Sequence, residues 1–217
     1  MSLAIFDLDN TLLADDSDYL WGCFLVKLGV VDAKLYESEN QRFYDDYKSG
    51  DLDIFEFLDF SLKPLSEHDI STLNNWRQQF MDEVIQPLIL PKAQALVDSH
   101  RDKGDTLLII TATNRFVTEP IASVYGIENL LATDPEMIND RYTGKVAGTP
   151  CFQEGKVERL HEWLKTTQHS LKDSYFYSDS QNDLPLLNLV THPVAVDADD
   201  TLIAHAQQNN WPQISLR

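Results

Sequence analysis

The sequence predicts an α/β fold: a mostly parallel sheet covered by helices on both faces, with a helical insertion after its first strand. Three observations predict it. Short unbroken apolar runs alternate with helical patterns through most of the chain, as expected of strands buried on both faces. That alternation stops from about residue 15 to residue 88, where no convincing strand pattern occurs. Twelve of the 22 aromatic residues fall in the same interval, from Tyr19 to Phe80, enough apolar bulk for a cap over the sheet. The expected division is a core of residues 1–14 and 89–217 and a helical cap of residues 15–88.

Taken in order, Leu3–Leu8 (LAIFDL) reads as the first buried strand. Inside the insertion, Phe24, Val26 and Leu28, and then Leu52, Phe55 and Leu58, have helical spacing. Pro91–Gly104 reads as a helix, with Pro in its first turn and Gly just past its end. Thr106–Ile110 is the next continuous apolar strand, followed by a helix across Phe116–Tyr125. Leu130–Asp134 is a third strand, and the two short runs flanking Asn139-Asp140 predict a hairpin. The helix GKVERLHEWLKTTQ leads to the strand Ser174–Ser178. A short helix after Asn182, the strand Pro193–Asp197 and a last helix from Asp200 complete the set.

The bulk composition narrows the function. A chain of 217 residues is long enough for a sizeable core, as one domain or as a domain with an insertion. The net charge of −18 argues against nucleic acid, which is bound by excess Lys and Arg. No run approaches the roughly 18 apolar residues of a membrane span, and no basic-then-apolar leader opens the chain. Cys23 and Cys151 lie far apart without ligand spacing, which suits buried thiols in a reducing cytoplasm. A monomer or a homodimer is expected.

The chemistry concentrates where such sheets hold ligands, outside the carboxyl ends of the strands. Asp7 and Asp9 end the first strand, Thr111 follows LLII, and Asp179 follows SYFYS with Asn182 and Asp183 close behind. Lys156 opens the helix before that last strand. Asp7, Asp9, Asp179 and Asp183 held together would raise one another's pKa values unless a cation neutralised them. Mg²⁺ suits a few carboxylates, retained waters and a phosphate oxygen, whereas no His or Cys set has zinc spacing. Lys156 and the Thr111 hydroxyl can grip phosphate oxygens, assisted by the backbone N–H groups of Leu8 and Ala112. One carboxylate can attack phosphorus, and a second, two residues on, can carry the proton.

These residues resemble the four motifs of the haloacid dehalogenase (HAD) superfamily of phosphohydrolases, in its order and across nearly the whole chain. They are DLDNT (Asp7–Thr11), the hydroxyl of IITAT (Thr111), the lysine of EGK (Lys156) and SDSQND with Asp179 and Asp183. The resemblance implies the HAD fold, a Rossmann-like core with an inserted C1-type helical cap. It implies Asp7 as nucleophile and Asp9 as general acid and base. It also implies Mg²⁺ held by Asp7, Asp179, the backbone carbonyl of Asp9 and, through water, Asp183. Asn182 is expected to fix the fourth-motif loop or the phosphate, with an alternative role as the N-cap of a helix starting at Asp183. An Asp at position 9 favours phosphoryl transfer over carbon–halogen cleavage, and the insertion site resembles the phosphoserine-phosphatase-like branch.

A capped site favours a small soluble phosphomonoester. By the same resemblance, Asp16 holds the position that contacts a substrate amino group, with Asp15 and Asp18 beside it. Arg115, four residues after Thr111, is a further candidate for substrate contact. Where the branch has an arginine for the serine carboxylate, the corresponding stretch FLDFSLK offers Asp59 and Ser61. An amine-bearing phosphate without a carboxylate, such as histidinol phosphate, fits that departure better than phosphoserine. A phosphoserine phosphatase, a phosphotransferase or mutase, and a non-catalytic phosphometabolite sensor are the alternatives. Intact Asp7 and Asp9 speak against the sensor, because holding a ligand needs neither a nucleophile nor an acid.

Overall fold

A computed structural model describes residues 2–217. Its seven strands are β1 (Leu3–Phe6), β2 (Thr106–Asn114), β3 (Asn129–Ile138), β4 (Arg141–Ala147), β5 (Tyr175–Ser178), β6 (His192–Val196) and β7 (Gln213–Ile214). They form one sheet in the order β4-β3-β2-β1-β5-β6-β7. All neighbours run parallel except β3 and β4, which form an antiparallel hairpin. The hairpin turns at Asn139 and Asp140, both with positive φ (51° and 59°), the conformation that Asn and Asp tolerate best after Gly.

The sheet's period of two sorts its apolar residues into two layers. Leu3, Ile5, Leu108, Ile110 and Phe176 face one side, under α8 (Glu154–Thr166), α9 (Leu184–Leu187) and α10 (Asp200–Asn209). Ala4, Phe6, Leu107, Ile109 and Tyr177 face the other, where α6 (Pro91–Asp102) and α7 (Arg115–Val124) pack.

Five helices, α1 (Ser17–Lys27), α2 (Ala33–Ser49), α3 (Ile54–Ser61), α4 (Lys63–Glu67) and α5 (Ile70–Phe80), separate β1 from α6. Four of them start on an aspartate whose carboxylate accepts first-turn N–H groups: Asp16, Asp32, Asp53 and Asp69. These helices do not enclose a core of their own. Trp21 of α1 meets Phe80 at 5.2 Å and Phe116 of α7 at 5.9 Å, ring edge to face, so α1 shares the apolar layer that covers β1. At Gly22 a Cβ would come within 2.8 Å of Asn40 Nδ2 and 2.9 Å of Tyr36, so the absent side chain lets α2 lie close against α1.

The structure corrects several expected boundaries. β2 runs four residues past Ile110, so Thr111 lies inside the strand instead of following it. The added stretch is polar and rejoins β3 only at Asn114–Thr133 after a register shift, which hides it from an apolar pattern. β3 likewise continues through Asp134 into the hairpin as one strand. β7 is only two residues long, below the length at which alternation carries a signal. Phe55, placed by its spacing on a buried face, is 60% exposed in the first turn of α3, whereas Leu58 is buried.

Candidate active site

Asp7 stands one residue beyond β1, and its backbone N–H donates to Tyr177 O of β5 at 2.9 Å. The nucleophile candidate is thus fastened to the central ladder. Just after it the chain folds into a tight turn, with Thr11, Leu12 and Leu13 N–H all donating to Leu8 O. Asn10 takes a positive φ of 56° within that turn. The turn buries the Thr11 hydroxyl, which donates to Asp7 Oδ2 at 3.3 Å and to Asp179 Oδ1 at 3.1 Å.

Lys156 is buried in the first turn of α8. A Cβ on the preceding Gly155 would collide with Pro150 O, so the glycine lets the helix start this close to the loop before it. Lys156 Nζ lies 2.8 Å from Asp7 Oδ1 and 2.7 Å from Asp183 Oδ1. Ser178 Oγ completes Asp183 by donating to Oδ2 at 2.7 Å. Burial alone would lower the Lys156 pKa, but the Asp183 and Asp7 carboxylates outweigh it and hold the ammonium well above its usual range. For Asp7 the balance is reversed: burial pushes it up to about 7, against the pull of Lys156. Asp179 is also raised, by burial and then by the charge of Asp7.

Asp9 sits in a second cluster. Its Oδ1 accepts Ser17 N–H at 2.7 Å, and its Oδ2 accepts the hydroxyls of Thr113 at 2.8 Å and Thr111 at 3.4 Å. Burial raises its pKa, and these donors hold it down. A carboxyl poised this way is suited to carry a proton, while Asp7 stands beside the Lys156 ammonium, a cation that can balance its charge.

Asp7 and Asp9 line one cleft together with Asp16, Asp18, Thr111, Ala112 and Thr113. Its far wall is aromatic, made by Tyr19 of α1, Phe43, Tyr44 and Tyr47 of α2 and Phe57 of α3, and among the described residues no Lys or Arg lines it. Asp16 caps α1, accepting Asp18 N–H and Tyr19 N–H at 2.9 Å each. Burial and then the neighbouring Asp9 charge push its pKa up to about 7.

Two candidates lie elsewhere. Arg115 is turned away from the cleft: its Nε pairs with Asp134 at 2.5 Å and its Nη2 donates to Leu130 O. An acidic neighbour on β3 thus holds it outside the cleft. Asn182 is not a helix N-cap, since it lies inside a 3₁₀ turn, Gln181–Asp183, which Ser180 caps. Both ends of its amide are engaged, accepting from Gln153 Nε2 at 2.9 Å and donating to Tyr47 O at 2.8 Å. Asp59, in the stretch where a base for a carboxylate was sought, pairs with Lys145 of the hairpin at 2.7 Å.

The donor chemistry suits a hard dication. Asp7 and Asp179 face each other across Thr11, both in surroundings that disfavour their charge. Among the described residues no three Asp, Glu, His or Cys side chains already converge as ligands, and both oxygens of Asp183 are taken by Lys156 and Ser178. The direct ligands would therefore be Asp7 and Asp179.

Sequence reasoning missed Thr113, Ser17 and Ser178. Thr113 had a usable signal: in a strand the residue two past Thr111 points to the same side, and only the expected end of β2 hid it.

The model of the haloacid dehalogenase-like hydrolases matches residues 4–188, most of the chain. The chain belongs to that family. This HAD-like hydrolase is 46% identical to the histidinol-phosphatase of Neisseria meningitidis serogroup C, over its whole length and 99% of that protein. It is 26% identical to a phosphoserine phosphatase of Lactococcus lactis, over 86% of the chain and 79% of the relative. Among solved structures, a protein of unknown function from Bordetella pertussis superposes with a TM-score of 0.94 at 42% identity, covering all of this chain and 99% of that one. A substrate-bound phosphoserine phosphatase superposes at 0.73 with 16% identity, over the whole chain and 93% of its own, and so shares the fold.

Proposed function

We propose that this HAD-like hydrolase is a Mg²⁺-dependent phosphatase of a small amine-bearing phosphomonoester, with histidinol phosphate as its substrate. The observation that carries the substrate reading is the lining of the cleft. Asp16 and Asp18 offer carboxylates to a cation, Tyr19, Tyr44 and Tyr47 supply an aromatic lining for an imidazole, and among the described residues no Lys or Arg lines the cleft to meet a carboxylate. The similarity to the Neisseria histidinol-phosphatase supports the same choice. Residues 15–88 act as a cap on a catalytic core of residues 1–14 and 89–217. The two cysteines, both free, are in keeping with a reducing cytoplasm.

In the reaction, Asp7 attacks phosphorus and the ester P–O bond breaks, while Asp9 gives its proton to the leaving alkoxide. Asp9, now ionised, takes a proton from water, whose oxygen attacks phosphorus and releases Asp7 and inorganic phosphate. Lys156, the Thr111 hydroxyl and the N–H groups of Leu8 and Ala112 hold the phosphoryl oxygens, and Thr113 and Ser17 N–H hold Asp9 in place. When bound by Asp7, Asp179 and the Asp9 carbonyl, Mg²⁺ supplies positive charge against the phosphate and the crowded carboxylates.

The test is phosphate release from histidinol phosphate, phosphoserine and phosphoethanolamine under Mg²⁺. We expect kcat/KM for histidinol phosphate to exceed that for phosphoserine by roughly 100-fold, because the substrate carboxylate of phosphoserine would be desolvated beside acids with no base to pair it. A preference for phosphoserine would overturn the substrate, and release from none of them, nor from an aryl phosphate, would overturn the phosphatase.

A further inference from the structure

We infer that Gln181 and Asn182 are positioning residues that hold α2 closed over the cleft, acting as a C-terminal cap delivered from the loop of Asp179 and Asp183. A helix ends with carbonyls that have no partner within it. α2 meets part of that need itself: Gly50 takes a left-handed conformation (φ 86°), Gly50 N–H donates to Tyr47 O at 3.2 Å, and Asp51 N–H donates to Asp46 O at 3.0 Å. The rest comes from across the cleft. Asn182 Nδ2 donates to Tyr47 O at 2.8 Å, and Gln181 Nε2 donates to Lys48 O at 2.9 Å.

Both amides are themselves fixed. Gln153, just ahead of the Lys156 helix, donates to Asn182 Oδ1, and Gln181 N–H donates at 2.6 Å to Asp199, the N-cap of α10. The last two turns of α2 carry Tyr44 and Tyr47 of the aromatic wall. The same five-residue loop therefore bears Asp179 and Asp183 at its ends and fastens the wall with the residues between them. Closure of α2 and assembly of the phosphate site become one event, and opening α2 to admit a substrate must break these two hydrogen bonds.

Hydrogen exchange of the full chain tests this without reference to activity. Gln181→Glu keeps the size of the side chain but replaces its donor with an acceptor facing Lys48 O, and a Gln181→Glu/Asn182→Ala double variant removes both hydrogen bonds. We expect amides of residues 44–51 to exchange about three- to tenfold faster in Gln181→Glu and faster still in the double variant. Peptides of β1 and β5 should stay unchanged. Unchanged exchange in residues 44–51 in both variants would overturn the inference. So would faster exchange that extends equally into β1 and β5, because that marks general loosening. A kinetic arm rests on the phosphatase reading: Gln181→Glu should raise KM for the substrate about fivefold with kcat within twofold. Failure of all activity in the wild-type protein would sink that reading and leave the exchange result standing.

Discussion

Thr113 Oγ1 donates to Asp9 Oδ2 at 2.8 Å, beside the longer hydrogen bond from Thr111, so two alternate residues of β2 hold the proton carrier from one side. The Thr113 hydroxyl lowers the Asp9 pKa. Thr113→Val should therefore raise it and move the alkaline limb of the kcat profile, where the acid is lost, to higher pH. Loss of one positioning hydrogen bond should also cut kcat about five- to tenfold. A pH–rate profile against a substrate with an alkyl leaving group checks both.

Asp7 and Asp9 should fail in different ways. Asp7→Asn should lower turnover by at least about 10⁴-fold, since Asp9, the other carboxylate at this strand end, is held in its own place by Ser17 N–H and Thr113. Asp9→Asn should lower it about 10²–10⁴-fold with an alkyl phosphate. With an aryl phosphate, whose leaving group needs no proton, Asp9→Asn should still release one equivalent of phenol in a burst and then stall, which stopped-flow absorbance would record.

The raised pKa of Asp16 makes a signed prediction about stability. Its folded value is about 7 against 3.8 for the free group, so between those values the folded protein holds a proton that the unfolded chain releases. Stability contributed by this group is full below about pH 4 and is lost as pH rises towards 7. Asp16→Asn removes that loss, so the fall in melting temperature of the metal-free protein from pH 5 to pH 8 should be shallower than in wild type. Thermal melts in EDTA across that range decide it.

Asp18 lines the cleft with its charge opposed by Asp16 and Asp9, and burial and those neighbours raise its pKa. A cationic substrate relieves that opposition. Asp18→Asn should lower kcat/KM for histidinol phosphate by about tenfold, the scale of a charge-assisted hydrogen bond, with an aryl phosphate that lacks an amine affected less than twofold. Equal losses on both substrates would remove Asp18 from recognition.

Chelation should abolish phosphate release, and Mg²⁺ should restore it where Ca²⁺ does not, because calcium's larger and looser shell does not hold octahedral geometry. In the metal-free protein Mg²⁺ should also raise the melting temperature more at pH 8 than at pH 5, because Asp7, pushed up to about 7, is largely ionised only at the higher pH. Differential scanning fluorimetry reads this independently of turnover.

Much of this arrangement is legible in the residues alone, because parallel strands with two buried faces leave their polar residues only at the ends. Asp7, Asp9, Thr111 and Asp179 stand out for that reason. What stayed hidden depends on tertiary pairing. The polar end of β2 looks like a loop until Thr133 pairs with Asn114. Arg115 looks free until β3 brings Asp134 beside it. Asn182 looks like a local cap, because nothing in its neighbourhood along the chain announces that Tyr47, 135 residues away, needs a donor.

The packing of Trp21 against Phe80 and Phe116 has a consequence for how the enzyme could be retuned. It welds α1, with Asp16 at its start and Asp18 in its first turn, onto the same slab as β1 and α7, and α2, which packs on α1 at Gly22, is tied at its far end by the side-chain amides of Gln181 and Asn182. The ruler that measures the substrate is therefore built into the bench, and the clamp rests against it but is fastened at its other end. Changes at positions 16 and 18 alter what is accepted, changes at 181 and 182 alter how long it is held, and the two sets can be varied independently.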